Sequence, residues 1–134
     1  MLYLENMIKI VDIPIYKCSV VFLIETTREE WLQFFNEQKP KVTDADNTHV
    51  LEEYDEESIG FTLQTAQNDY ICYVNNKDRL GLVAHEIFHA ANMILVDRNF
   101  KIDYAGEAWA YLIEFLTNEF YLAIDDNHST TQDQ

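Results

Sequence analysis

His85 and His89 stand four residues apart with Glu86 beside the first of them, in a stretch that reads H-E-x-x-H. On an α-helix, positions i and i+4 lie about 40° apart around the axis, so both imidazoles would face the same way. Two ring nitrogens on one face can bind a single metal ion, and a neighbouring carboxylate can hold a water on that ion and take its proton. The chemistry this supports is metal-assisted hydrolysis. The motif needs three things around it: a helix to carry it, a third ligand and a sheet upstream.

A catalytic zinc ion takes three protein ligands and keeps one position for water. A histidine six residues after His89 is excluded, because position 95 is Leu95, and position 92 is Asn92 rather than glycine. His49 falls in an acidic loop region and His128 in the C-terminal tail, neither on a rigid element. A downstream helical stretch offers carboxylates instead. Glu107 lies 18 residues beyond His89, enough chain for one helix to end, reverse and return. Glu107, Tyr111 and Glu114 recur at i, i+4 and i+7 and share one face. Carboxylates among Ala108, Trp109, Leu112 and Phe115 need a partner if that face is buried, and a metal supplies one. Glu107 is the expected third ligand and Glu114 the alternative, the other of the two accepting a hydrogen bond from a histidine ring. Asp103 is a further candidate for that supporting role or for a helix cap.

The elements that must position these residues follow from periodicity. The H-E-x-x-H lies in an apolar-periodic run from Leu80 to Val96, with an expected core stripe of Val83, Ile87, Ala90, Ala91 and Ile94. Asn75, Asn76 or Asp78 would cap this helix. Leu2–Tyr16 contains Pro14 and reads as a lead-in or edge element. Cys18–Glu25 is nearly continuous in apolarity, which suits a strand buried on both faces. Thr26 and Thr27 precede Arg28-Glu29-Glu30, and a threonine three residues before a glutamate is a capping-box start to a helix that ends near Lys39-Pro40. His49–Tyr54 reads as a strand. Ile59–Thr65 alternates and reads as a half-buried strand with one open face, and Tyr70–Val74 as another strand. Tyr70, Tyr73, Phe88 and Trp109 read as core aromatics, and Cys72 as a packed strand thiol. A second long helix is expected from about Gly106 to Ile124, followed by a polar, disordered tail over 125–134. The expected class is α+β, with one domain over 1–124.

Composition narrows the function classes. The chain has 134 residues and a net charge of −15, from 24 acidic and nine basic residues. Such a field repels phosphate backbones, so binding nucleic acid through a basic groove is disfavoured. No apolar run approaches the ~20 residues of a membrane span, and no basic leader precedes an apolar stretch. Two cysteines, Cys18 and Cys72, give no disulfide framework, which points to a cytoplasmic, reduced protein. The acidic cluster Glu52-Glu53-Asp55-Glu56-Glu57 reads first as a solvated loop, the alternative being that it biases a nearby cleft toward basic residues in a substrate.

The pattern His85-Glu86-x-x-His89 with a downstream Glu107 resembles the zincin metallopeptidases of the gluzincin type. The likeness is to their minimal single-domain forms, such as the short HExxH proteins of phages and prophages, and covers roughly 59–122. It implies a zincin-like fold: a small mixed β-sheet packed on helices, with the HExxH helix followed by a helix carrying the third ligand. It implies that His85, His89 and Glu107 bind zinc and that Glu86 is general base and proton shuttle. It also implies that an edge strand, by chain order Gly60–Thr65, lines the cleft and pairs with an extended peptide or protein substrate. An edge open to a peptide is equally open to a second copy of the chain. Gluzincins often carry Asn before the ligand glutamate and Asp four residues after it; here those positions are Gly106 and Tyr111. Tyr111 or Tyr104 would stabilise the oxyanion, by position. Two other functions compete: a zinc-holding interaction module without turnover, and an acidic mimic of nucleic acid.

Overall fold

The computed structural model describes residues 7–38, 57–65, 68–101 and 106–132. Four strands form one mixed sheet: β1 (Ile8–Ile13), β2 (Cys18–Ile24), β3 (Gly60–Gln64) and β4 (Tyr70–Val74). Their order is β1-β2-β4-β3, with β2 parallel to β4 and the two outer pairings antiparallel. Three α-helices accompany them: α1 (Arg28–Gln38), α2 (Leu80–Asp97) and α3 (Glu107–Gln132). The class is therefore α+β. The expected strand over His49–Tyr54, together with Asp103 and Tyr104, lies outside the described residues.

The central strands are apolar throughout because both faces of the sheet are covered. Val20, Phe22 and Ile24 of β2, with Tyr70, Cys72 and Val74 of β4, pack beneath α2 and α3. Val21, Leu23, Ile71 and Tyr73 point the other way, onto Trp31 and Phe35 of α1. Each fully buried side chain of this size contributes about 1.5–3 kcal/mol of transfer free energy. The lead-in became edge strand β1, and Pro14 opens a 3-10 turn, Pro14–Tyr16, just beyond it.

Local signals fixed the helix starts unevenly. At α1, Thr27 N donates to Glu30 Oε1 at 3.0 Å and Glu30 N to Thr27 Oγ1 at 3.2 Å, the reciprocal capping box. At α2 no side chain caps the first turn, and the cap position is Arg79 rather than Asn75, Asn76 or Asp78. The Asn76 carboxamide oxygen is already taken by the backbone N–H of Asp78, at 2.9 Å, so it closes a turn instead.

Helix α2 buries the expected stripe of Val83, Ile87, Ala90, Ala91 and Ile94, together with Glu86 and Leu95. By length and composition α2 could cross a membrane, yet that stripe is packed on the sheet. Helix α3 returns alongside α2, burying Trp109, Leu112, Leu116, Phe120 and Ala123. Trp109 Nε1 donates to Asn92 Oδ1 at 3.1 Å and ties the two helices together. α3 continues to Gln132, eight residues past the expected end at Ile124. No proline or glycine interrupts 125–132, so the backbone keeps its helical path through the polar stretch.

Candidate metal centre and adjoining cleft

Within α2 the burial stripe and the motif occupy different sides. Positions 83, 87, 90, 91 and 94 face the sheet, and at about 100° per residue His85 and His89 fall on the opposite side. His85 is exposed and His89 half-buried. Their Nε2 atoms stand 3.1 Å apart, with the rings edge to face at a centroid distance of 4.6 Å. Two nitrogens on a tetrahedral zinc at ordinary bond lengths stand about 3.3 Å apart, so the pair fits as two ligands of one ion. The same spacing also suits one ring N–H donating to the other ring's lone pair.

Glu86 falls on the flank of α2 that faces β3, and is only 4% exposed. A buried carboxylate needs donors, and Thr62 provides one. Its Oγ1 stands 2.7 Å from Glu86 Oε1 and 3.1 Å from the Glu86 carbonyl oxygen. The hydroxyl has one proton, and the shorter, charge-assisted contact to the carboxylate is the stronger. Beneath them lies Cys72, register partner of Thr62 across the strands. Burial pushes the Cys72 thiol well up; the Glu86 charge adds to this and the Thr62 hydrogen bond opposes it. Cys72 is thus the packed strand thiol its sequence context suggested.

The face of β3 expected to be open is only partly so: Gln64 is exposed, but Gly60 and Thr62 are half-buried. Gly60 and Thr62 sit under α2, while Phe61 packs on the α1 side with Trp31, at a ring distance of 5.4 Å. Gly60 permits this approach: a Cβ there would meet Glu86 Oε2, Leu82 Cδ1 and the Tyr73 carbonyl oxygen, each at 3.0 Å. Small residues on one face of an alternating strand signal a close helix as readily as open solvent. That signal could have identified Thr62.

A cavity of about 390 Å³ opens between the start of β3 and the first turns of α2. Ile59, Gly60, Arg79, Gly81, Leu82, His85 and Glu86 line it. It therefore places the Glu86 carboxylate, one imidazole and a cation around a single space at a sheet edge. Arg79 was not singled out by sequence, because an arginine between Asp78 and Leu80 carries no motif.

The remaining candidates are further apart. Glu107 and Glu114 are both exposed, on the side of α3 opposite its buried stripe. Among the described residues no third His, Cys, Asp or Glu joins the histidine pair as a ligand cluster. With the two helices taken as antiparallel, the Trp109–Asn92 hydrogen bond sets an approximate axial register. Stepping along both helices from that contact, at about 1.5 Å per residue, Glu114 comes level with Ile87 and Glu107 with Ile94. Glu114 is thus nearer the level of His89. Tyr111 is 67% exposed and lines a separate apolar groove with Ile13–Tyr16, Ala108, Leu112 and Phe115, which contains neither histidine nor Glu86. Phe88 is 44% exposed, not core; it lies on the flank of α2, beside the His89 ring at 6.1 Å.

No family model matches this chain, and neither does any curated protein or solved structure.

Proposed function

We propose that the protein is a small zinc-dependent peptidase of the zincin type, with His85 and His89 as two of the metal ligands and Glu86 as general base. The observation that carries this reading is one arrangement. The paired Nε2 atoms at 3.1 Å are adjacent in sequence to a buried carboxylate that lines a cavity at a sheet edge. A helix needing only a structural metal has no use for a carboxylate directed at the cavity. Glu107 and Glu114 are the candidates to complete the ligand set, although neither stands with the pair here; the axial register favours Glu114.

Zinc, when bound, supplies a Lewis acid that polarises a carbonyl and lowers the pKa of a water toward about 7. The chain's own residues do the rest. Glu86 takes the water proton on Oε2, since Oε1 is held by Thr62, and passes it to the leaving amine. Strand β3, at the open edge of the sheet, is the element an extended peptide would pair with.

The test is metal content and peptide hydrolysis on protein prepared without chelator. Wild type should hold about one zinc per chain, lost in His85→Ala and His89→Ala. Glu86→Gln should keep the metal and lose about 10²–10⁴ in kcat. Full peptidase activity in Glu86→Gln would sink the scheme, as would a folded wild type that takes up no metal.

A second reading, a zinc-holding interaction module without turnover, draws on the apolar groove of about 580 Å³ beside Tyr111 and Phe115. Helix α3 carries five acids and no lysine or arginine, so the fitting partner is an amphipathic segment with basic flanks. Tight zinc with no hydrolysis of any peptide would bring this reading forward.

A further inference from the structure

The cavity beside Glu86 contains one feature that the hydrolytic reading does not use. Arg79 lines it, and among the described residues the Arg79 side chain has no hydrogen-bond or ion-pair partner. Lys77, the neighbouring cation along the chain, is engaged: its Nζ is 3.4 Å from Glu25 Oε1.

Arg79 is also anchored where it stands. Its N–H donates to Asn76 O at 3.2 Å, and its carbonyl accepts from Val83 N at 3.0 Å, so its Cα is fixed at the start of α2. Glu86 faces the same cavity, yet the two charges form no salt bridge; the carboxylate is held by Thr62 instead. Ile59, Gly60, Gly81 and Leu82 complete the lining of the same space. A guanidinium at such a mouth presents a planar fork of donors matched to a carboxylate.

We infer that this cleft selects a peptide carboxylate, held by Arg79 while the adjoining peptide bond lies toward His85 and Glu86. The carboxylate is either an acidic side chain or a free C-terminus. Arg79 is then a specificity-determining residue, and the preferred substrates are anionic despite the net charge of the protein. This is the reverse of the basic preference that the acidic run at 52–57 suggests. The inference rests on the hydrolytic reading only for the identity of the cleaved bond.

The test separates the two. Fluorescent hexapeptides, identical except for a central Glu or Gln, are prepared as C-terminal amides and as free acids. Their binding is titrated by anisotropy against wild type, Arg79→Gln and Arg79→Lys, with chelator present and again with zinc. A carboxylate-bearing peptide should bind about tenfold more tightly than the Gln amide, the low end for a charge-assisted contact at an accessible site. Whichever carboxylate carries the gain identifies the source. Arg79→Gln should erase the difference and Arg79→Lys keep part of it. Equal binding of all peptides overturns the inference, as does a preference that survives in Arg79→Gln or no binding at all. Cleavage of the same set with zinc then reads kcat against KM. An Arg79→Gln loss confined to kcat and equal for every peptide would place Arg79 on the reacting oxygen and also overturn it. A carboxylate preference in binding with no cleavage would leave the inference standing and remove the peptidase reading.

Discussion

Thr62 and Glu86 are joined across the strand-helix boundary: the threonine hydroxyl donates to Glu86 Oε1 at 2.7 Å. A residue of edge strand β3 thereby sets the rotamer of the motif carboxylate on α2. Thr62→Val keeps the branched shape but leaves a buried carboxylate oxygen without its donor. Chemical unfolding should show a loss of about 1–3 kcal/mol. kcat should fall more than KM rises, with zinc content unchanged, and Thr62→Ser should recover most of both. If valine matched wild type in turnover, Thr62 would be only a packing residue.

Two glycines in the same cavity should respond oppositely to alanine. At Gly60 the new Cβ meets two mobile side-chain ends and one backbone oxygen, all at 3.0 Å. Glu86 and Leu82 can swing aside, but the Tyr73 carbonyl cannot move without shifting β4. Gly60→Ala should therefore cost about 1–3 kcal/mol and displace Glu86, lowering turnover as well. At Gly81 a Cβ meets nothing within 4 Å. Gly81→Ala should raise stability by about 0.5–1 kcal/mol through helix propensity. Thermal unfolding of the pair checks both signs.

This contrast also marks what could be read in advance. Thr27 and Glu30 announced α1 because a capping box is a contact between residues three apart. The stripe from Val83 to Ile94 was legible because burial on a helix repeats with its own period. What β3 presents on each face, and whether Phe88 is covered, depends on where α2 and α3 settle. These are contacts between residues tens of positions apart, such as Thr62 with Glu86 or Asn92 with Trp109. The choice of a third ligand for the proposed metal belongs to the same class. Spacing of 18 residues allowed Glu107, but the register of the helix pair decides which carboxylate comes level with His89.

Tyr70 gives a pH signature far from the motif. Its hydroxyl donates to Asp97 Oδ2 at 2.6 Å and accepts from Arg98 Nη1 at 3.0 Å. Burial first, and the Asp97 hydrogen bond second, push its pKa up to about 12. An unfolded tyrosine titrates near ~10. The folded state thus holds this proton more tightly than the unfolded chain does. The stabilisation is complete below about pH 10 and is lost as pH rises from there toward 12. Urea unfolding followed from neutral to alkaline pH should show that decline in wild type and a shallower one in Tyr70→Phe. Identical slopes would remove Tyr70 as the cause.

Metal addition offers a stability readout that needs no substrate. An ion that binds only the folded state raises stability by about 2.7 kcal/mol at a free concentration one hundred times its Kd. Wild type should show a zinc-dependent rise in Tm, and His85→Ala and His89→Ala should show none. The two glutamates then compete directly. On the axial register fixed by Asn92 and Trp109, Glu114→Ala should reduce the zinc-dependent rise more than Glu107→Ala. The reverse order would assign the ligand to Glu107; either glutamate, exposed on the far side of α3 here, reaches the histidines only if α3 turns on α2 when metal is bound. A rise undiminished in both glutamate variants but absent in both histidine variants would place the third ligand elsewhere in the chain, with Asp103 the first residue to substitute.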